Sequence, residues 1–400
     1  MALPNVNITV RRDGLGQVDF SSDGIMGLVL TGIAVDEKVA LGKAYAIHSL
    51  ADAEKLGIQP YELPLAETPV KHGNYDAWVQ IRDFYNEAGD GTKLWIIVSN
   101  EGKMSTNVTG GGLTPCALEV LVTKANGEIA VVGITPGGNQ DSTVLDGLND
   151  DVWTAMTAAQ VVANNYQESI MPFSVVIPGL GFSGVADATK DLKSMSNHRI
   201  SVLLAAPEDD GVAGIGQVIG RLAAIPVQRK ISRVKDGALA NLAGYLTDKA
   251  VVEYRDGDLN TLHDKGYIVY RTFQGKSGYF YSGDPTATGA TDDLNTISRN
   301  RIIDKVLKIT YNTYIEEVDD EVPITDDGKI EPAVCASLQE KVERQVRGNT
   351  VGEVSQFSAY IDPNQNILSG APVEVVLDIL PVGYLSNIRV SLGFINPFST

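Results

Sequence analysis

Four kinds of stretch carry residue types at spacings that could do chemistry. The most suggestive is GLGFSG, Gly179–Gly184, which has the GxGxxG spacing of a dinucleotide-binding turn. There Gly179 and Gly181 would let the backbone approach a pyrophosphate, Gly184 would let a helix pack closely, and backbone N–H groups at the helix start would bind the anion. The stretch follows the strand-like FSVVIP, and Glu208 and Asp209 stand near the distance expected of a ribose-binding carboxylate. Two features argue against that chemistry. Pro178 heads the turn and cannot donate, and the two carboxylates lie beyond Pro207, at a helix start rather than a strand tip. A tight strand–helix turn accounts for the glycines.

The remaining stretches fail on spacing. GKS at Gly275–Ser277 has the end of a phosphate loop, but the glycine required five residues earlier is Tyr270, and the following SGYFYS is strand-like. DGDLN from Asp256 and DPNQN from Asp362 begin like calcium loops. Their sixth positions are Thr261 and Ile367 instead of glycine, and their twelfth are Tyr267 and Val373 instead of glutamate. His48, His72, His198 and His263 are scattered, with no HExxH and no GxSxG. Cys116 and Cys335 make no CxxC pair and read as reduced thiols. The residues therefore point to no catalytic residue, no cofactor and no metal, and the chain reads as a non-enzyme.

The elements that would position such residues fall into three regions. NVNITV at the start alternates, with Val6, Ile8 and Val10 on one face, as in a half-buried strand, and ends in the flexible RRDGLG. A mixed α/β region follows. In it GKAYAIHSLADAEKLGI predicts a strand and a short helix capped by Ser49 and ended by Gly57. DAWVQIRDFYNEAG predicts an amphipathic helix and KLWIIVS a buried strand. ALEVLVT and EIAVVGI, separated by Asn126-Gly127, predict a hairpin. From residue 150 helices (DDVWTAMTAAQVVANNYQ, GVADATKDLKSM, GVAGIGQVIGRLAAI) alternate with strands (FSVVIP, ISVLLAAP), which argues for a largely parallel sheet.

The pattern changes near 250–258. GYIVYRTF and SGYFYS predict a hairpin, and a long helix is expected from Asp292 to Val318 with Thr291 as its cap. PAVCASLQEKVERQVRG predicts a second helix, with Pro332 in its first turn, Gly348 just past its end, and Val334, Leu338, Val342 and Val346 on one face. Three strands, VSQFSAYI, PVEVVLDIL and NIRVSLGFI, finish a two-layer α+β domain. In the last of them Ile388, Val390 and Leu392 share a face, behind the Pro/Gly joint PVGYLS. A strand on such a joint can pair with its own sheet or with a neighbour's edge.

The formal net charge is −18. A strongly acidic surface repels nucleic acid and anionic membranes, so neither is an expected partner. No apolar run approaches the ~18 residues of a membrane span, and the N-terminus has no export-signal pattern, so synthesis in a cytoplasm is expected.

AYAIHSLADAEKLGI, DAWVQIRDFYNEAGDGTKLWIIVS, IPVQRKISRVKDGAL, HDKGYIVYRTFQGKSGYFYS and TDDLNTISRNRIIDKVLKITY, with the closing hairpin before NIRVSLGFI, resemble in order and spacing the sheath proteins of contractile phage tails and injection systems. Residues 101–170 match least. The resemblance implies a multidomain α/β and α+β fold. Residues 256–400 would form a two-layer inner domain completed by an N-terminal arm, residues 1–30, and residues 31–255 an inserted mixed α/β outer domain. It implies hexameric rings stacked around an inner tube, contraction that drives the tube through an envelope, and baseplate and tail-terminator proteins as further partners. Assembly would begin in the cytoplasm of the producing bacterium and end in a virion tail or injection particle. Terminal strands shared between subunits would give Val6, Ile8, Val10, Ile388, Val390 and Leu392 an inter-subunit role. A helix of the inner domain touches the tube in that family, which makes Lys341, Arg344 and Arg347 the candidate tube contact. Cations near a solvated helix end are the plainer reading of those three. A dinucleotide-binding enzyme using Gly179, Gly181 and Gly184, or another self-assembling shell or tube subunit, are the alternatives.

Overall fold

The computed structural model describes residues 22–62, 70–110, 115–135, 143–209, 212–246, 249–369 and 372–394. The chain divides into two compact units, Met1–Lys308 and Ile309–Thr400. The change of pattern near 250–258 thus falls inside the first unit.

In the first unit the elements run β1 (Met26–Thr31), β2 (Ala44–Ile47), α1 (Leu50–Lys55), α2 (Tyr75–Ala88), β3 (Leu94–Ser99), α3 (Met104–Thr109), α4 (Ala117–Ala125) and β4 (Val131–Ile134). Next come the short β5 (Val144–Leu145) and β6 (Leu148–Asn149), then α5 (Asp150–Glu168), β7 (Ser174–Pro178), β8 (Ser196–Asn197), β9 (Ile200–Leu203) and α6 (Ile215–Ala223). After α7 (Asp256–Asp264) follow β10 (Tyr267–Ile268), β11 (Tyr270–Arg271), β12 (Phe280–Tyr281) and β13 (Ala287–Thr288). A seven-stranded mixed sheet has the order β10-β9-β7-β4-β1-β3-β2, parallel except where β2 runs against β3. Its strands read as continuous apolar runs because both faces are covered: β4 and β9 are buried at every residue.

Local signals act as expected at several places. Ser49 accepts from the Asp52 amide and caps α1, and Gly89, at φ 80°, ends α2. The hairpin of β11 and β12 forms, pairing Tyr270 with Tyr281. Three expectations are corrected. ALEVLVT is not a strand but α4, whose buried Leu118, Leu121, Val122 and Ala125 follow the helical period. Asn126, at φ 50°, is its left-handed cap. GVADATKDLKSM forms two single 3-10 turns instead of a helix, held by Lys265, whose Nζ donates to the carbonyls of Ala186, Asp187 and Thr189. The long helix α8 (Ile297–Tyr314) starts five residues later than expected. Asp292 is spent on the Leu294 amide and the Thr288 hydroxyl, and the helix begins against Asp284, whose carboxylate accepts from the Ser298 amide.

A buried ion pair fixes the start of α8 within the first unit. Arg199, fully buried, donates to both oxygens of Asp304 at 2.7 and 2.6 Å and to Gln167 at 2.8 Å. Burial pushes the Asp304 carboxyl above its ordinary range, against the pull of Arg199. Such a pair is weak support for stability as a whole, but losing one member would strand the other charge.

In the second unit α9 (Pro332–Asn349) packs on the antiparallel hairpin of β14 (Val354–Ile361) and β15 (Val375–Pro381). This is the expected two-layer arrangement. Pro332 occupies the first turn, while Gly348 lies inside the helix and Thr350 caps it, a correction of one turn position. Val342 and Val346 are buried, Val334 and Leu338 pack on the small core of Ile330, Cys335 and Ile361, and Phe357 and Ala359 supply the strand side. Three side chains also stitch α9 to β14: Gln339 donates to the Ala359 carbonyl, Glu343 accepts from its amide, and Arg347 donates to the Phe357 carbonyl. The expected third strand, NIRVSLGFI, has no ladder partner among the described residues; 382–394 carry no regular structure.

Candidate functional site

The glycine turn is built for packing. β7 delivers the chain into it, but only a single 3-10 turn, Ala186–Ala188, follows, so there is no helix start for an anion. The Gly179 amide donates to the Leu203 carbonyl, that of Leu180 to Pro178, and that of Ser183 to Gly147. A Cβ at Gly179 would lie 2.3 Å from Leu204 Cδ2, and one at Gly181 1.9 Å from Asn149 Oδ1; Gly181 also has φ +66°. Leu180 and Phe182, between the glycines, are buried, while Ser183 is exposed. Glu208 pairs with Arg82 at 2.9 Å.

In doubly wound sheets ligands bind outside the strand ends where the order reverses. Here the order turns about β1, and that end is filled by Asn74, wholly buried, whose Oδ1 accepts from the Ile33 amide at 2.7 Å and whose Nδ2 donates to the Ile33 carbonyl at 3.1 Å. Gly32 exists to admit it: a Cβ there would sit 2.1 Å from Asn74 Oδ1.

The other motifs resolve as plainly. Gly275, at φ 80°, belongs to the turn between β11 and β12, and Asp256 opens α7 rather than a loop. Asp362 Oδ1 accepts from the Asn364 amide in a closed turn. No group of three or more His, Cys, Asp or Glu is placed to hold a metal among the described residues. Burial and neighbouring Arg199 lower the His198 pKa, and burial with Lys193 lowers that of His263, so both favour the neutral form. Burial raises the Cys116 thiol to about 11, the opposite of an activated nucleophile. Among the described residues no helix is long and apolar enough to cross a membrane.

The assembly candidates have a different character. Val6, Ile8 and Val10 lie outside the described residues. Ile388, Val390 and Leu392 stand 76, 78 and 97% exposed, on a segment without a ladder partner among the described residues. On α9, Lys341 pairs with Glu317, and Arg347 with Glu343 at 2.9 Å; Arg344 is exposed with no ion pair among the described residues. Two further stretches escape a motif search because their signal is charge density alone. Residues 229–235 hold four cations in seven positions, Arg229, Lys230, Arg233 and Lys235. Residues 316–321 hold five carboxylates in six.

Residues 3–284 match the DUF2586 N-terminal domain family, and residues 293–399 the DUF2586 C-terminal domain family. Among solved structures the chain is similar to one of the anti-feeding prophage baseplate, 6-fold symmetrised, with TM-score 0.63 and 14% identity over 99% of each chain. It is similar to one of the anti-feeding prophage helical sheath in the contracted state, with TM-score 0.59 and 14% identity, again over 99% of each. A sheath tail protein from Desulfitobacterium hafniense gives TM-score 0.53 and 9% identity over 94% of this chain and 100% of that one. At these identities the likeness is one of fold. No curated protein matches the sequence.

Proposed function

The chain belongs to the DUF2586 family and has the fold of contractile sheath proteins, and on that premise we propose that it is a structural, non-catalytic subunit of a contractile sheath. It polymerises with copies of itself as stacked hexameric rings around an inner tube, joins a baseplate at one end and a terminator at the other, and shortens to drive the tube through an envelope. The observation that carries this is coverage: the likeness of fold to a helical sheath runs over 99% of both chains. The 6-fold symmetry of the baseplate particle supports six subunits to a ring. Contraction would draw its free energy from different packing in two assembled states.

The second unit of the chain supports shared terminal strands. α9 covers one face of the β14–β15 hairpin, and the sheet has no further strand among the described residues, which leaves its strand edges open to pairing. Residues 5–10 and 387–395 carry the alternating faces that would extend such a sheet in a neighbour. Each ladder hydrogen bond nets only about 1 kcal/mol, but the same contacts recur at every subunit of a ring. The test is truncation. Deleting residues 1–12 or 387–400 leaves a folded first unit, followed by its melting transition, and abolishes tubes; the milder Ile8→Pro, which removes a ladder donor, weakens them. Truncated chains that still build normal tubes overturn strand sharing.

A further inference from the structure

A chain of net charge −18 that polymerises brings like-charged copies together, so its contacts must set unlike charges face to face locally. At physiological salt, screening over ~8 Å leaves adjacent pairs as the ones that count. The densest cationic and anionic runs of the sequence are both at the surface. In the first unit, Arg233 and Lys235 are exposed, and the segment that follows them is joined to the β11–β12 hairpin: the Leu239 amide donates to the Tyr279 carbonyl at 2.9 Å. That hairpin adds exposed Arg271 and Lys276, with the Arg271 guanidinium 4.3 Å above the Phe273 ring. Asp236 neutralises part of the run through Arg229 and Arg233, while Lys235 and Lys276 have no ion pair among the described residues.

In the second unit, Tyr311, Ile315 and Val318 stand exposed at helical spacing, 43, 48 and 64%, at the end of α8 and the 3-10 turn after it. Carboxylates crowd beside them. Lys341 pairs with Glu317, but exposed Asp319, Asp320 and Glu321 have no ion pair among the described residues. Carboxylates beside an apolar stripe call for cations on the surface that covers it. We infer that the cationic surface of Arg233, Lys235, Arg271 and Lys276 receives segment 311–321 of a second copy of this chain. The partner is another copy because the complement lies within the same sequence, and because this assignment places opposite charge at the point where two acidic subunits meet. The inference rests on the sheath reading for the kind of polymer, and on the charge pattern for the contact.

The test uses the full chain in two charge-reversed variants, K235E/K276E and D320K/E321K, each verified as folded by its melting transition. Assembly is followed by sedimentation and negative-stain microscopy. Each variant alone raises the concentration needed for assembly roughly tenfold or more, and an equimolar mixture of the two assembles at the wild-type concentration. Assembly of either variant at the wild-type concentration, or a mixture that assembles no better than its components, overturns the contact. Wild-type chains that form discrete oligomers instead of tubes, with the same loss and rescue, keep the contact and sink the sheath reading. Wild-type chains that remain monomeric at high concentration in low salt overturn both.

Discussion

Gly216 and Gly220 give the sharpest prediction about what holds the first unit together. They lie one turn apart on the face of α6 that meets α2, so close that a Cβ at Gly216 would be 1.8 Å from the Gln80 carbonyl oxygen and one at Gly220 2.4 Å from that of Phe84. The Gly216 amide also donates to Gln80 Oε1 at 2.6 Å. Gly216→Ala places a methyl against backbone, which cannot swing aside as a side chain would, so the helices must part by about 1 Å. Overpacking of this kind costs about 3 kcal/mol at the upper end, and alanine returns about 1 kcal/mol of helix propensity. The net loss of about 2 kcal/mol should lower the melting temperature by roughly 3 °C for a unit the size of Met1–Lys308. Gly257→Ala in α7, where a Cβ meets nothing within 4 Å, is the control and should leave the temperature unchanged or raise it. Differential scanning calorimetry decides. A Gly216→Ala chain as stable as wild type refutes the close-packed account of α2 and α6.

Three further outcomes are expected. NAD at saturating concentration leaves the melting temperature unchanged, whereas Gly181→Ala lowers it through the clash with Asn149; a nucleotide-dependent rise lost in that variant would revive the enzyme reading. Hydrogen bonds from Lys329 and Thr325 hold the Asp327 carboxyl at about 2, below an ordinary aspartate, so its contribution to the 325–329 turn is present above the ordinary aspartate range and is lost as pH falls towards 2. Carbon-detected NMR titration of that carboxyl checks this, and an ordinary midpoint would contradict it. Reversing Lys341, Arg344 and Arg347 weakens co-purification with the tube without unfolding the subunit; undiminished co-purification in low salt removes α9 as the tube contact.

Where local chemistry and tertiary packing agree, the sequence is readable: Ser49 before α1, Gly89 after α2, and, beyond residue 150, α5, β7, β9 and α6 stand as written. The failures have physical causes. Asn-Gly suits a hairpin turn and a left-handed helix cap equally, because both place residues at positive φ, and α4 was decided by the 3.6-residue period of Leu118, Leu121, Val122 and Ala125. The helix expected after Gly184 is replaced because Lys265, some 75 residues on, takes three of the segment's carbonyls. A distant partner of that kind leaves no local trace. At the glycine turn, the missing donor at its head was legible from Pro178, but the closeness of Asn149 to Gly181 was not. The closing segment NIRVSLGFI has a strand's alternation, but residues 382–394 carry no regular structure, because alternation alone supplies no ladder partner.

Negative-stain microscopy of the purified full-length chain at high concentration tests the central claim most directly. A sheath subunit predicts tubes or stacked rings with sixfold symmetry, formed without nucleotide. A uniform population of small discrete oligomers under every salt condition would contradict it.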